Sequence, residues 1–143
     1  MKKLTLIIFI AILVLAAILR FYKLGSNPPS LSWDETAVGY NAWTVLHWGK
    51  DEWGKSLPLV FKSFEDDKHP IHVYLTIPTV AILGLNEMGV RASSALFGVL
   101  NVLVIFFLAK RLFRSDLAGI IASLVLAVSP YNIHFSRFNH ELN

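Results

Sequence analysis

The chain has 143 residues, of which 55% are hydrophobic and only 16% charged, with a net charge of +3 and no cysteine. Soluble domains carry about a quarter charged residues, so this composition is that of a membrane protein. The small, scattered positive charge argues against a nucleic-acid surface, and the lack of Cys excludes disulfides and thiolate-bound metals.

Lys2 and Lys3 precede an apolar run from Leu4 to Leu19. With Phe21 and Leu24 it reaches the roughly 20 residues that a spanning helix needs. Its far end carries Arg20, Tyr22 and Lys23, the cations free to snorkel to the interface. No small-x-small cleavage site follows, so the run is read as an uncleaved span over about 4–22 and not as a signal peptide.

Gly25-Ser26-Asn27-Pro28-Pro29 breaks the helix. Ser32-x-x-Glu35 then forms a capping-box signature. The segment it opens, Asp34 to about Trp48, has Val38, Ala42, Val45 and Leu46 at helical spacing, with Trp43 and Trp48, and Gly49 as its stop. It is too short and polar to span and rich in Trp, which places it along the membrane surface. Lys50 to Pro70 reads as polar loop with scattered aromatics.

Ile71 to Leu85 is apolar but short, with Pro78 inside. Charge topology decides its reading. The run from Ala92, a span over about 92–110, ends at Lys110-Arg111-Leu112-Phe113-Arg114, which with Lys2-Lys3 belongs on the cytoplasmic side. The first span therefore runs outward and this one inward, which leaves no room for a crossing between them. Ile71–Leu85 is accordingly a surface helix within an external loop of about 24–90. A third span, about 116–132, returns outward and breaks near Ser129-Pro130. Asn101, inside an apolar run, is expected to make a helix–helix hydrogen bond. The expected fold is all-α integral membrane, with about three transmembrane helices and several surface helices. Three spans are few to enclose a site, so residues 1–143 are expected to be the N-terminal part of a larger membrane domain.

This topology gathers Asp34-Glu35, Lys68-His69, Arg137 and Glu141 on the non-cytoplasmic side. Ionisable groups at a membrane boundary are costly and invite a functional hypothesis. Acids in a first helical turn also simply stabilise the helix dipole. Glu35 has a structural task in the capping box, which leaves Asp34 as the better general base toward a hydroxyl, and two adjacent acids are also able to share a divalent cation. Lys68 and His69 either enter a helix through Pro70 at its first position or contact an anionic lipid phosphate or a metal. Arg137 and Glu141 have the spacing of a pair on one helical face, with His134 one further turn away. No phosphate-binding Gly loop or zinc spacing is present.

The ordered motifs are Trp33-Asp34-Glu35 with Tyr40 and Ala42, Gly49-Lys50-Asp51, His69-Pro70 with Tyr74-Leu75, Gly84-Leu85-Asn86-Glu87, Val90-Arg91-Ala92-Ser93-Ser94, and Ser129-Pro130 with Ser136-Arg137. Their order resembles the N-terminal part of GT-C fold membrane glycosyltransferases. The resemblance is to the protein O-mannosyltransferases and their prokaryotic relatives, including the aminoarabinose lipid A transferases. It implies a GT-C-like fold, a plasma-membrane location with an extracytoplasmic site, and inverting sugar transfer from a polyprenyl-phosphate donor to a hydroxyl acceptor. It matches Asp34-Glu35 to the family's acidic pair, with the Asp as base. It matches His69 to a donor- or metal-binding region, and Glu141 to a second acid that is Asp in many relatives. Lys68, His69 or Arg137 would offset charge on the departing phosphate. No nucleotide cofactor is implied, and a divalent cation is compatible. The competing reading is a non-catalytic scaffold or transporter segment whose acids only cap a helix.

Overall fold

A computed structural model describes residues 3–63 and 66–139. The chain is an all-α membrane protein apart from one small hairpin: α1 (Lys3–Phe21), α2 (Trp33–Trp48), β1 (Phe61–Ser63), β2 (Asp66–Lys68), α3 (Pro70–Leu83), α4 (Glu87–Phe113), α5 (Asp116–Val128) and α6 (Pro130–Ser136). Local chemistry sets most boundaries. Ser32 and Glu35 make both bonds of the capping box, Gly49 ends α2 at φ 65°, Pro70 opens α3, and Asn86 and Ser115 cap α4 and α5.

Helices α1 and α4 are long and apolar enough to cross a membrane, as expected for the first two spans. The third differs from a single tilted span. Ser129 caps α6, Pro130 starts it, and the α5–α6 pair bends by 61° at that point. Pro cannot donate to the α5 ladder, so the chain turns there. Helix α3 has 14 residues, short of a span. The expected loop over 50–70 contains the antiparallel hairpin, with Phe61 opposite Lys68 and Ser63 opposite Asp66.

Two apolar clusters hold these parts. Ile12, Ala16, Val102 and Ala127 join α1, α4 and α5. Val38, Ala42, Val45, Phe61, Val73, Val80 and Val90 join α2, the hairpin, α3 and the start of α4. Leu46, expected on the apolar face of α2, is exposed. Where α2 crosses α4, a Cβ on Gly39 would sit 2.5 Å from a Val90 methyl, so the crossing depends on glycine.

Arg20 does not snorkel. It is fully buried and donates to the carbonyls of Ala16, Leu126 and Ala127 and to the side chains of Asn132 and Ser136. Breaking the ladder at Pro130 leaves carbonyls at the end of α5 without helical partners, and Arg20 supplies donors where water is scarce. The ends of α1 and α5 therefore lie together. The start of α4 joins them through Arg91, which donates to the carbonyls of Leu24, Pro28 and Ser30. The Asn101 side chain is exposed and hydrogen-bonds to no described residue.

Gly39→Ala is expected to lower the stability of the detergent-solubilised protein by about 1–3 kcal/mol, the usual cost of overpacking. Thermal unfolding followed by circular dichroism measures it, and an unchanged midpoint would refute the tight crossing.

Candidate functional site

Helix α2 starts with two adjacent acids whose fates diverge. One residue along a helix is a rotation of about 100°, so Asp34 and Glu35 face different neighbours. Glu35 is fully buried and every acceptor direction is used. Its Oε1 accepts from Arg91 Nε at 2.7 Å and from the Asn139 backbone N–H at 3.3 Å. Its Oε2 accepts from the Ser32 N–H at 2.9 Å and from Arg91 Nη2 at 3.2 Å. Glu35, expected as a site acid beside Asp34, is thus placed as a buried, fully hydrogen-bonded carboxylate.

Asp34 faces the hairpin. Its Oδ1 accepts from Lys68 Nζ at 2.6 Å, and its side chain keeps 36% of its surface open. Lys68 also donates to Asp66 Oδ2 at 2.7 Å. The register explains the reach: Lys68 pairs with the buried Phe61, so its stem lies on the inner face while Lys62 and Asp67 point outward. Burial pulls the Lys68 ammonium down, but hydrogen bonds and charge from Asp34 and Asp66 outweigh it and leave the group above its ordinary value of 10.5. The hydrogen bond and charge of Lys68 hold the Asp66 carboxyl below its ordinary 3.8. His69 follows Lys68, exposed, at the N-cap of α3, with no side-chain cap bond.

Sequence reasoning missed Arg91, Asn139 and Asp66. Arg91 is as fully buried as Glu35. Asn139 is buried where α2, α3 and α4 meet. Its amide donates to Thr76 Oγ1 at 2.7 Å, the Val90 carbonyl at 2.7 Å and Ser93 Oγ at 3.3 Å, and its Oδ1 lies 3.3 Å from His72 Nδ1. The signal for Arg91 was its setting before Ala92-Ser93-Ser94, a run of small residues that admits close neighbours. Asn139 carried no such signal.

Arg137 turns toward the end of α1. Its guanidinium donates to the carbonyls of Leu19, Arg20, Lys23 and Asn27 at 3.1, 3.2, 3.5 and 2.7 Å, closing the end of α1. Glu141, expected as a second acid, lies outside the described residues, as does His140. The structure thus brings Asp34 and Lys68 together, with His69 next to Lys68 in the chain, and places Arg137 in the supporting frame. Among the described residues, no group of three His, Cys, Asp or Glu side chains is placed to hold a metal ion.

The fold and the cluster define a helical membrane protein with a partly open carboxylate and an ammonium held at the joined ends of its helices. A family model described as dolichyl-phosphate-mannose-protein mannosyltransferase matches residues 67–142, and the chain belongs to that family. A polyprenol-phosphate-mannose–protein mannosyltransferase of Mycolicibacterium smegmatis is 33% identical over 128 residues, covering 88% of this chain and 24% of the relative. Its namesake in Mycobacterium tuberculosis is 33% identical over 119 residues, covering 80% and 21%. An uncharacterized protein of Aquifex aeolicus is 27% identical over 130 residues, covering 91% and 25%. The chain thus spans about a quarter of the length of these relatives. No solved structure matches it.

Two predictions follow from the geometry. Arg91→Ala strands the Glu35 carboxylate and is expected to cost about 3–5 kcal/mol, the range for breaking a buried pair from one side; chemical denaturation of the solubilised protein measures it. The Asp34–Lys68–Asp66 cluster has a pH window. Asp66 is held below 3.8, so its contribution is present above that value and lost as pH falls through the depressed one. Lys68 is held above 10.5, so its contribution is present below that value and lost as pH rises through the raised one. Protection factors of the hairpin amides, which remove the intrinsic pH dependence of exchange, should be high within this window and fall on both sides. Protection that is flat with pH would contradict the ion-pair closure.

Proposed function

We propose that this chain forms the base-bearing part of a membrane mannosyltransferase that moves mannose from a polyprenyl-phosphate donor to a protein hydroxyl. The observation that carries the reading is Asp34, a carboxylate oriented by Lys68 at a helix start yet still partly open. Family membership and the activity for which the mycobacterial relatives are named support the donor, the sugar and the acceptor class.

In this mechanism Asp34 takes the proton of the acceptor hydroxyl as its oxygen attacks the anomeric carbon. The carbon–phosphate oxygen bond breaks on the opposite face, so the configuration inverts. The Lys68 ammonium and the exposed His69 ring meet the negative charge that develops on the departing phosphate. Glu35 acts as a strut that fixes where Asp34 points, and Arg137 anchors the frame. Glu141 remains a proposed second acid.

The reading places the site on the extracytoplasmic face of the plasma membrane. Lys110 and Arg111 lie in the last turn of α4, at the opposite end from Arg91 and the cluster. Basic flanks favour the cytoplasm, which puts Asp34 outside. The chain is then the N-terminal portion of the whole enzyme, whose remaining helices complete the donor and acceptor pockets.

In the full-length polypeptide, Asp34→Asn is expected to lower transfer from radiolabelled polyprenyl-phosphate-mannose to a Ser/Thr peptide by about 10²–10⁴-fold, the usual worth of a general base. Membrane insertion should be unchanged. Near-normal turnover would overturn the assignment and favour a helix-capping scaffold.

A further inference from the structure

Strand β2 carries Asp66 and Lys68 on one face, because residues two apart in a strand point the same way. Lys68 already has a task beside Asp34, whereas Asp66 has none. Yet the Asp66 carboxylate is firmly oriented. Its Oδ1 accepts the Asp67 N–H at 2.9 Å, and its Oδ2 accepts from Lys68 Nζ at 2.7 Å. One oxygen is committed to backbone and the other to the ammonium.

A lysine ammonium has three N–H donors. In Lys68 one meets Asp34 Oδ1 at 2.6 Å, one meets Asp66 Oδ2, and the third bonds to no described residue. The other titratable groups of the surrounding elements are placed differently. Lys62 and Asp67 lie on the outer face of the hairpin, and His69 is exposed at the start of α3. His72 meets Asn139, and Glu35 is turned to Arg91. The cluster thus sets two carboxylates against one ammonium. A proton taken by Asp34 leaves one negative and one positive charge, a balanced pair. With Asp34 and Lys68 alone, the same step would strand an uncompensated, largely buried ammonium, which is costly. Lys68 holds the Asp66 carboxyl below its ordinary 3.8, so this countercharge persists at neutral pH.

We propose that Asp66 is a positioning residue for the transfer reaction: it holds the Lys68 ammonium beside Asp34 and supplies the countercharge that lets Asp34 take a proton while Lys68 stays charged. The inference rests on Asp34 being the base. As the acceptor hydroxyl gives its proton to Asp34, the ammonium keeps its place and its charge. Its third N–H is then available to an oxygen of the departing phosphate. Asp66 acts only through Lys68, since both of its own oxygens are already engaged.

The test is the pH dependence of single-turnover transfer by the full-length polypeptide in membranes, from polyprenyl-phosphate-mannose to a Ser/Thr peptide. Asp66→Asn keeps the shape and removes the charge. It should lower the plateau rate about two- to five-fold, the response of a weakened general base. It should also move the acid limb about half to one pH unit lower, because Asp34 then faces an uncompensated ammonium. Asp66→Glu keeps the charge and should return the limb to its wild-type position. The position of the limb does not depend on how much of the protein folds. A lower rate with an unmoved limb would therefore show a merely structural contact and overturn the inference, as would a wild-type rate and limb. Asp34→Asn, assayed alongside, separates the two readings. Near-normal turnover there removes the base itself, whereas an inactive Asp34→Asn beside an unmoved limb in Asp66→Asn removes only the role of Asp66.

Discussion

The buried pair of Glu35 and Arg91 fixes the geometry on which the other parts depend. Removing two charges from water is expensive, and a well-packed apolar pair of the same size would stabilise the fold about as well. What the ion pair adds is direction. Glu35 accepts four bonds and Arg91 gives three more to carbonyls of the 24–30 segment. The start of α2, the start of α4, the end of the α1 connection and the backbone at Asn139 are all referred to one point. Asp34, a single residue earlier, is carried about 100° round the helix and emerges toward the hairpin.

The hairpin depends on that placement in turn. A lysine on the inner face of a short strand pair needs a carboxylate within reach, and Asp34 and Asp66 provide two. Phe61, opposite Lys68, is fully buried and lies in a T-shaped contact with Tyr74, so apolar packing holds the strand while the ammonium is neutralised beside it. Asn41 ties the preceding loop to α2 by accepting the Glu52 N–H and donating to its carboxylate. The cluster is thus gripped from the helix side and from the loop side.

Features written in local chemistry were legible in the sequence, and those written in distant contacts were not. The capping box at Ser32, the stop at Gly49, Pro70 at a helix start and the break at Ser129-Pro130 each need only a few neighbouring residues. Asp34, Lys68 and His69 were legible as candidates from their placement on one side of the bundle. Arg20 was expected to snorkel, because a cation at the end of an apolar run looks the same whether it turns to water or to protein. Arg20, Arg91 and Arg137 all turn inward onto backbone carbonyls, over separations of up to 118 residues. The hairpin was missed for a related reason: its strands have three residues each, too short for alternation to stand out.

Those three arginines also explain an asymmetry between the two ends of the bundle. At the α4–α5 turn the charges are ordinary: Arg111 and Arg114 are exposed, and Lys110 and Asp116 make one partly open pair. At the other end, guanidinium groups close the carbonyls of α1, α5 and the 24–30 segment, each with several donors in a fixed plane. Backbone at a helix break in a membrane has no water to satisfy it, so those donors hold the break in one arrangement. The buried, multiply bonded polar groups are thus concentrated at the end that carries Asp34, and that end is held more rigidly than the α4–α5 turn, where the charges stay exposed or partly open.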